Sequence, residues 1–256
     1  MMKLTVLGCS GGIGGDAHRT TALLVDDDVL IDAGTGVADL DIDALARIDH
    51  VFITHAHIDH IACLPLMVDA VGARRAMPLV VHCTRATEAI LRTHLFNDVL
   101  WPDFTRVPAQ AKPFLRFEPL EEGESCALGE RIFTPLPAKH GVPAVGFRVA
   151  TPRGSLVFGS DTTVCPPFWD AVARIPDLRY LIVETAFPDS QRKLAIQSEH
   201  LCPSLLASQL PSPPGAFRLL ISHVKPGYVD ETLQDLQRVA ESHAPAILAK
   251  GDIYWI

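Results

Sequence analysis

Three imidazoles and one carboxylate fall within six residues of the stretch THAHIDH, Thr54 to His60, in the order HxHxDH. They follow DHVFI, whose β-branched and aromatic residues predict a buried strand ending at His50–Ile53. In extended backbone, residues two apart share a face, so His55 and His57 can address one point beyond the strand end. As the chain turns, Asp59 and His60 add a carboxylate and a third ring. N and O donors of this kind suit zinc or a similar borderline cation. One histidine at a strand end reads most simply as an ordinary polar residue. This spacing directly after an apolar strand does not, and it predicts a metal site.

The elements that must hold such a site can be read along the chain. Lys3–Leu7 predicts an edge or first central strand, and Gly8–Gly15 a tight glycine turn; the turn lacks the Lys-Ser/Thr ending of a phosphate-binding P-loop. Thr20–Val25 and Val29–Ile31 predict a hairpin around Asp26–Asp28. Asp32-Ala33-Gly34 closes the second of these strands. Ile61–Val71 has helical spacing, Leu79–His82 reads as a strand and Ala86–Phe96 as a helix. Residues 97–114 have little periodicity and read as a long surface connection or lid, with Trp101 and Phe104 either stacking on a planar group or, equally, packed into the core. Short strands follow at 115–118, 124–128 and 130–134. Further strands are predicted at Gly154–Phe158, Arg179–Val183, Leu219–Ile221 and Ala246–Leu248, with a helix at 230–242. No repeat, linker or low-complexity segment divides the chain, so residues 1–256 are expected to form a single domain.

Bulk properties narrow the function classes. The 48% hydrophobic content allows a sizeable core, and no apolar run approaches the roughly 20 residues needed to span a bilayer. The apolar stretch ahead of LGCS is only Leu4–Leu7, too short for a signal peptide's apolar core, so the expectation is a cytoplasmic protein without a membrane partner. Six cysteines (Cys9, Cys63, Cys83, Cys126, Cys165, Cys202) show no paired spacing and predict reduced thiols. Net charge is −8 and no dense Lys/Arg run is present, which argues against a nucleic-acid-binding face. A small anion remains compatible, because a bound cation can outweigh the global sign.

HxHxDH after a strand resembles the metallo-β-lactamase superfamily, whose fold is a four-layer αββα sandwich with a dinuclear metal site along one edge. The resemblance implies a further His, a bridging Asp and a last His, each near the end of an apolar run; His140, Asp161 and His223 stand in those places. It further implies that His55, His57 and His140 hold one ion, that Asp59, His60 and His223 hold the second, and that Asp161 spans both. Zinc is the expected metal, with manganese or iron as alternatives that these donors also accept. A water between two such ions is acidified toward hydroxide near neutral pH, which supplies a nucleophile. Asp59 thus counts among both the ligands and the catalytic groups. The remaining histidines, His18, His50, His82, His94 and His243, match no ligand position.

Within the superfamily, VETAFPDSQRKLAIQSEHLCP resembles the phosphodiesterase branch, where a His held by a Glu protonates the leaving oxygen. That makes His200 the expected general acid and Glu184 its orienting partner. The branch includes tRNA 3′-processing endonucleases and class II cyclic-nucleotide phosphodiesterases. The former carry a long arm between the third-motif His and the bridging Asp, and His140 and Asp161 are too close in sequence for one. FNDVLWPDFTRVP, KHGVPAVGFRV, and EHLCPSLLASQL followed by ISHVKPGY look like the cyclic-nucleotide family, although Cys202 stands where that family more often has Thr. The resemblance therefore implies a homodimeric enzyme converting 3′,5′-cyclic AMP or GMP to the 5′-nucleotide, with a small-molecule substrate and no stable nucleic-acid complex. Lys225, next to His223, would add charge beside the phosphate or remain solvated. The rival expectation is a phosphodiesterase of the same fold acting on cyclic ribose phosphates or RNA 3′ ends. A non-catalytic metal-binding scaffold is a third reading, which a complete ligand set and acid relay disfavour.

Overall fold

Successive side chains on most strands face different cores, and this alternation builds the architecture. The computed structural model describes residues 1–211 and 216–256. In chain order the strands are β1 (Lys3–Gly8), β2 (Ala22–Val25), β3 (Val29–Ile31), β4 (His50–Phe52), β5 (Leu79–Cys83), a small hairpin of β6 (Pro108–Ala109) and β7 (Lys112–Pro113), and β8 (Leu115–Pro119). They continue with β9 (Cys126–Leu128), β10 (Arg131–Pro137), β11 (Val145–Thr151), β12 (Gly154–Phe158), β13 (Leu178–Glu184), β14 (Arg218–Ser222), β15 (Ala246–Ile247) and β16 (Ile253–Trp255). Eight α-helices are described: α1 (Ile42–Arg47), α2 (Ile58–Ile61), α3 (Leu64–Val71), α4 (Arg85–His94), α5 (Pro166–Ala173), α6 (Arg192–Gln197), α7 (Pro203–Ala207) and α8 (Val229–Ala240).

Two seven-stranded sheets form, ordered β16-β1-β2-β3-β4-β5-β8 and β15-β14-β13-β12-β11-β10-β9. Along β2, Leu23 and Val25 enter a core between the sheets while Ala22 and Leu24 face α3 and α4 in an outer core. The second sheet does the same: Ile182 and Leu220 point inward, whereas Leu181, Val183, Leu219 and Ile221 meet α5, α7 and α8. Three cores separate four layers, which is the expected αββα sandwich. The central core is built on Phe52 and Phe133, stacked at 4.1 Å between ring centroids, with Phe147 edge-on at 5.5 Å.

β1 lies between β2 and β16, so it is internal rather than an edge. Its partner β16 comes from the far end of the chain, a pairing that local pattern does not reveal. The helical stretch at 61–71 is two elements, α2 and α3, because Pro65 at the first turn of α3 starts a new helix. In the connection at 97–114 the packing alternative is the one observed. Phe104 is buried against Phe96 and Phe114, and Trp101 packs against the same outer core. Both rings are spent on packing because this segment covers the apolar ends of α4 and β8. No described helix is long and apolar enough to cross a membrane, and all six cysteines are free thiols.

Candidate metal centre and acid relay

The site gathers at strand ends and at the turn after α6, where the chain bends sharply. Asp32 follows β3, Ser160 precedes Asp161 after β12, Glu199 precedes His200, and His223 follows β14. All four have left-handed backbone, with φ of 59°, 58°, 55° and 61°. Such conformations are uncommon outside glycine and concentrate at functional turns. Nothing in the amino-acid pattern marks these positions, since none is glycine.

Donor atoms of His55, His57, His140 and Asp161 lie within 4.8 Å of one another, and so do those of Asp59, His60, Asp161 and His223. Asp161, buried and shared by both groups, has Oδ2 3.3 Å from His60 Nε2 and 3.7 Å from His55 Nε2, and Oδ1 3.2 Å from His223 Nδ1. The structure thus brings all seven residues singled out by sequence to one locus.

Neighbouring groups fix which nitrogen of His55, His60 and His140 faces that locus. The Thr54 hydroxyl donates to Asp32 Oδ2 at 2.8 Å, so its oxygen accepts from His55 Nδ1 at 3.0 Å and leaves Nε2 as the inward lone pair. His60 Nδ1 donates to the fully buried Asp32 at 2.7 Å, and His140 Nδ1 donates to the Glu199 carbonyl at 3.1 Å. His57 Nδ1 and His140 Nε2 stand 3.0 Å apart. Metal-binding histidines are commonly oriented in this way by carboxylates and carbonyls.

Whether a cation fits can be judged from what these atoms lack. Among the described residues, His55 Nε2, His60 Nε2 and both ring nitrogens of His223 are buried without a hydrogen-bond partner. Unpartnered buried polar atoms are rare and costly, and several converging on one carboxylate are accounted for by an ion. Burial pushes the pKa values of His55, His57, His140 and His223 down, that of His223 to about 3, so these rings are neutral and present lone pairs. At His60 burial opposes charge, but Asp161 and Asp32 outweigh it and raise the pKa, marking a place where positive charge is stabilised. The residues fit divalent ions.

Glu184 lies against this centre, fully buried at the end of β13. It accepts from the backbone N–H groups of Thr162, Ala186 and Leu201, and from His200 Nδ1 at 2.7 Å. That last bond leaves His200 Nε2 to hold or release the second proton. Burial works against charge on His200, but the Glu184 carboxylate outweighs it and raises the pKa. The His200 ring stacks at 5.3 Å on His223 and lies 4.9 Å from His140, so the relay adjoins both donor groups.

Lys225 is half-buried, and its amine donates to the Gly11 carbonyl at 2.5 Å, which fastens the glycine loop beside His223 while its positive charge still bears on His200 and His223. A Cβ at Gly11 would overlap the His223 carbonyl, so close approach of this loop requires glycine there. His50 and His82 form their own pair at 3.0 Å beneath Phe52, apart from the centre. Residues that sequence reasoning passed over are Thr54, Thr162 and the Glu199 carbonyl; only the strand-end position of Thr54 could have pointed to any of them.

The family described as a beta-lactamase superfamily domain matches residues 28–243. The chain belongs to that superfamily. A protein named Ribonuclease Z from Synechococcus sp. is 28% identical over 326 aligned positions, covering 98% of this chain and 96% of the relative. One of the same name from Prochlorococcus marinus is 27% identical, covering 97% and 96%. Among solved structures, unliganded yeast PDE1 superimposes with a TM-score of 0.82 at 17% identity, covering 100% of this chain and 99% of that one. The metallo-beta-lactamase fold protein YhfI from Bacillus subtilis gives 0.77 at 20% over both full chains. Human tRNase Z, short form, gives 0.67 at 19%, covering 99% of each. The expectation of a small cyclic-nucleotide substrate without nucleic-acid interaction is overturned, because the full-length relatives by sequence are named ribonucleases. The physical reason for the error is that donors and acid relay serve any phosphodiester and carry no information about what lies beyond the phosphate. The chain is a metal-dependent hydrolase of the phosphodiesterase and nuclease kind.

Proposed function

We propose that this enzyme hydrolyses phosphodiester bonds at RNA 3′ ends. The observation that carries the reading is near-complete alignment with proteins named Ribonuclease Z in a chain that retains a buried His200–Glu184 pair beside the donor cluster. In this reading residues 1–256 act as one hydrolase domain. His55, His57 and His140 hold one divalent ion, Asp59, His60 and His223 hold a second, and Asp161 serves both, with zinc as the favoured metal given the N and O donors. Ions held there acidify water and stabilise negative charge on phosphoryl oxygens. His200, protonated on Nε2, donates to the departing oxygen, and Glu184 keeps the ring oriented and charged until it does. The alignment spans 326 positions while the chain has 256 residues, so the relative carries insertions that this chain lacks. Substrate engagement accordingly relies on the surface around the centre.

The test is a product assay on protein reconstituted with zinc or manganese, offered an RNA with a 3′ extension and, separately, 3′,5′-cyclic AMP. Cleavage of the extension at a kcat/KM well above that for cyclic AMP is the expected result. Efficient turnover of cyclic AMP with the RNA left intact would refute the RNA assignment.

A further inference from the structure

The His140 loop, the Asp161 loop and the acid relay are separate segments, and one buried residue joins them. Thr162 follows Asp161 and is 2% exposed. Its backbone N–H donates to Glu184 Oε1 at 3.0 Å. Its hydroxyl oxygen accepts from the Lys139 backbone N–H at 3.0 Å, and the hydroxyl proton goes to the Thr163 carbonyl at 3.1 Å. Thr163 N–H closes the loop pair by donating to the Lys139 carbonyl at 2.8 Å. Lys139 immediately precedes His140, whose ring is anchored on its other side by Glu199, the residue before His200.

We infer that Thr162 is a positioning residue whose hydroxyl holds the His140 loop in register with Asp161, while its backbone N–H ties the same loop to Glu184, so that one residue sets the His140 loop and the acid relay relative to Asp161. The inference rests on the metal centre proposed above. It does not depend on the RNA assignment. The Lys139–Thr162 bond is the only hydrogen bond among the described residues by which a side chain of the Asp161 loop grips the His140 loop. Removing the hydroxyl leaves the Lys139 N–H without its acceptor and loosens the loop that carries His140, which the Thr163–Lys139 and His140–Glu199 bonds still restrain. The backbone link from Thr162 to Glu184 survives any side-chain change, so the two functions of this residue can be separated.

The experiment compares Thr162→Val and Thr162→Ser with wild type by zinc affinity in chelator competition, alongside kcat and KM on an activated aryl phosphodiester. Val keeps the shape and loses the hydroxyl, whereas Ser keeps the hydroxyl. Thr162→Val is expected to lose about 10–100-fold in affinity for one ion, the scale seen when a partner orienting a metal ligand is removed, with Thr162→Ser at the wild-type value. Equal affinities for Val and wild type, or Ser as weak as Val, would overturn the inference. Hydrogen exchange at the Lys139 amide in the wild-type holoenzyme provides a check that needs no folded variant. Protection is expected, and exchange at the rate of an open loop would overturn the bond itself. Wild-type protein that takes up no divalent ion would overturn the metal centre and this inference together.

Discussion

At the residue scale, function is divided between groups that touch the reaction and groups that orient them. His200→Ala is predicted to keep both ions and to lose about 10²–10⁴-fold in turnover where the leaving oxygen is a poor leaving group, the usual worth of a general acid. A substrate with an activated aryl leaving group should lose far less, and an equal loss on both would contradict the acid role. Asp32 touches no reacting atom, yet it accepts from Thr54 N–H, from the Thr54 hydroxyl and from His60. Asp32→Ala strands those donors and frees the His60 ring. The prediction is a loss of about 10–100-fold in affinity for the second ion, read by zinc titration with wild type as reference; unchanged affinity would show that His60 orients itself.

At the element scale, the sandwich is held at the end remote from the metal centre by a link between its two sheets. Arg131 on β10 reaches across to Asp28 through two hydrogen bonds, at 2.6 and 2.7 Å, and to Asp26 at 3.1 Å, both in the β2–β3 turn. The Arg131 hydrogen bond, working against burial, lowers the Asp28 pKa. A depressed folded pKa means that the stabilisation is present above the unfolded value near 4 and lost as pH falls through the folded value. Arg131→Ala is therefore predicted to cost about 1 kcal/mol near neutral pH, with the gap in urea midpoint closing below pH of about 4. A gap that persists at low pH would assign the effect to lost packing of the arginine stem. How much could be read from sequence follows from which interactions are local. The rule that alternate residues share a face placed His55 and His57 together, and apolar runs marked β12, β13 and β14 to within about two residues. The β1–β16 pairing and the left-handed turns at Ser160 and His223 depend on contacts distant in sequence, such as the His223 N–H donating to the Cys9 carbonyl. No window of residues around those positions contains the partners that stabilise them.

At the scale of the whole molecule, ions held at this locus would bind the two sheets together as well as supply chemistry. Its donors come from the ends of both, His55 and His57 after β4 in one and Asp161 and His223 after β12 and β14 in the other. Ions that bind only the folded chain stabilise it in proportion to the logarithm of their excess over Kd, about 2.7 kcal/mol at a hundredfold excess. Chelation is thus predicted to lower the melting temperature, and Asp161→Ala to abolish the difference between metal-loaded and chelated protein. A melting temperature indifferent to chelation in wild type would contradict a centre that ties the layers together. The central claim, that this chain is a metal-dependent phosphodiesterase acting on RNA 3′ ends, meets its most direct test in a titration. Metal-free protein receives zinc in steps while release of an RNA 3′ extension is followed. No release is expected at the start, with a rate that then rises until two ions are bound per chain. Release that is undiminished in the presence of chelator, or a fully loaded protein that leaves the extension in place, would contradict it.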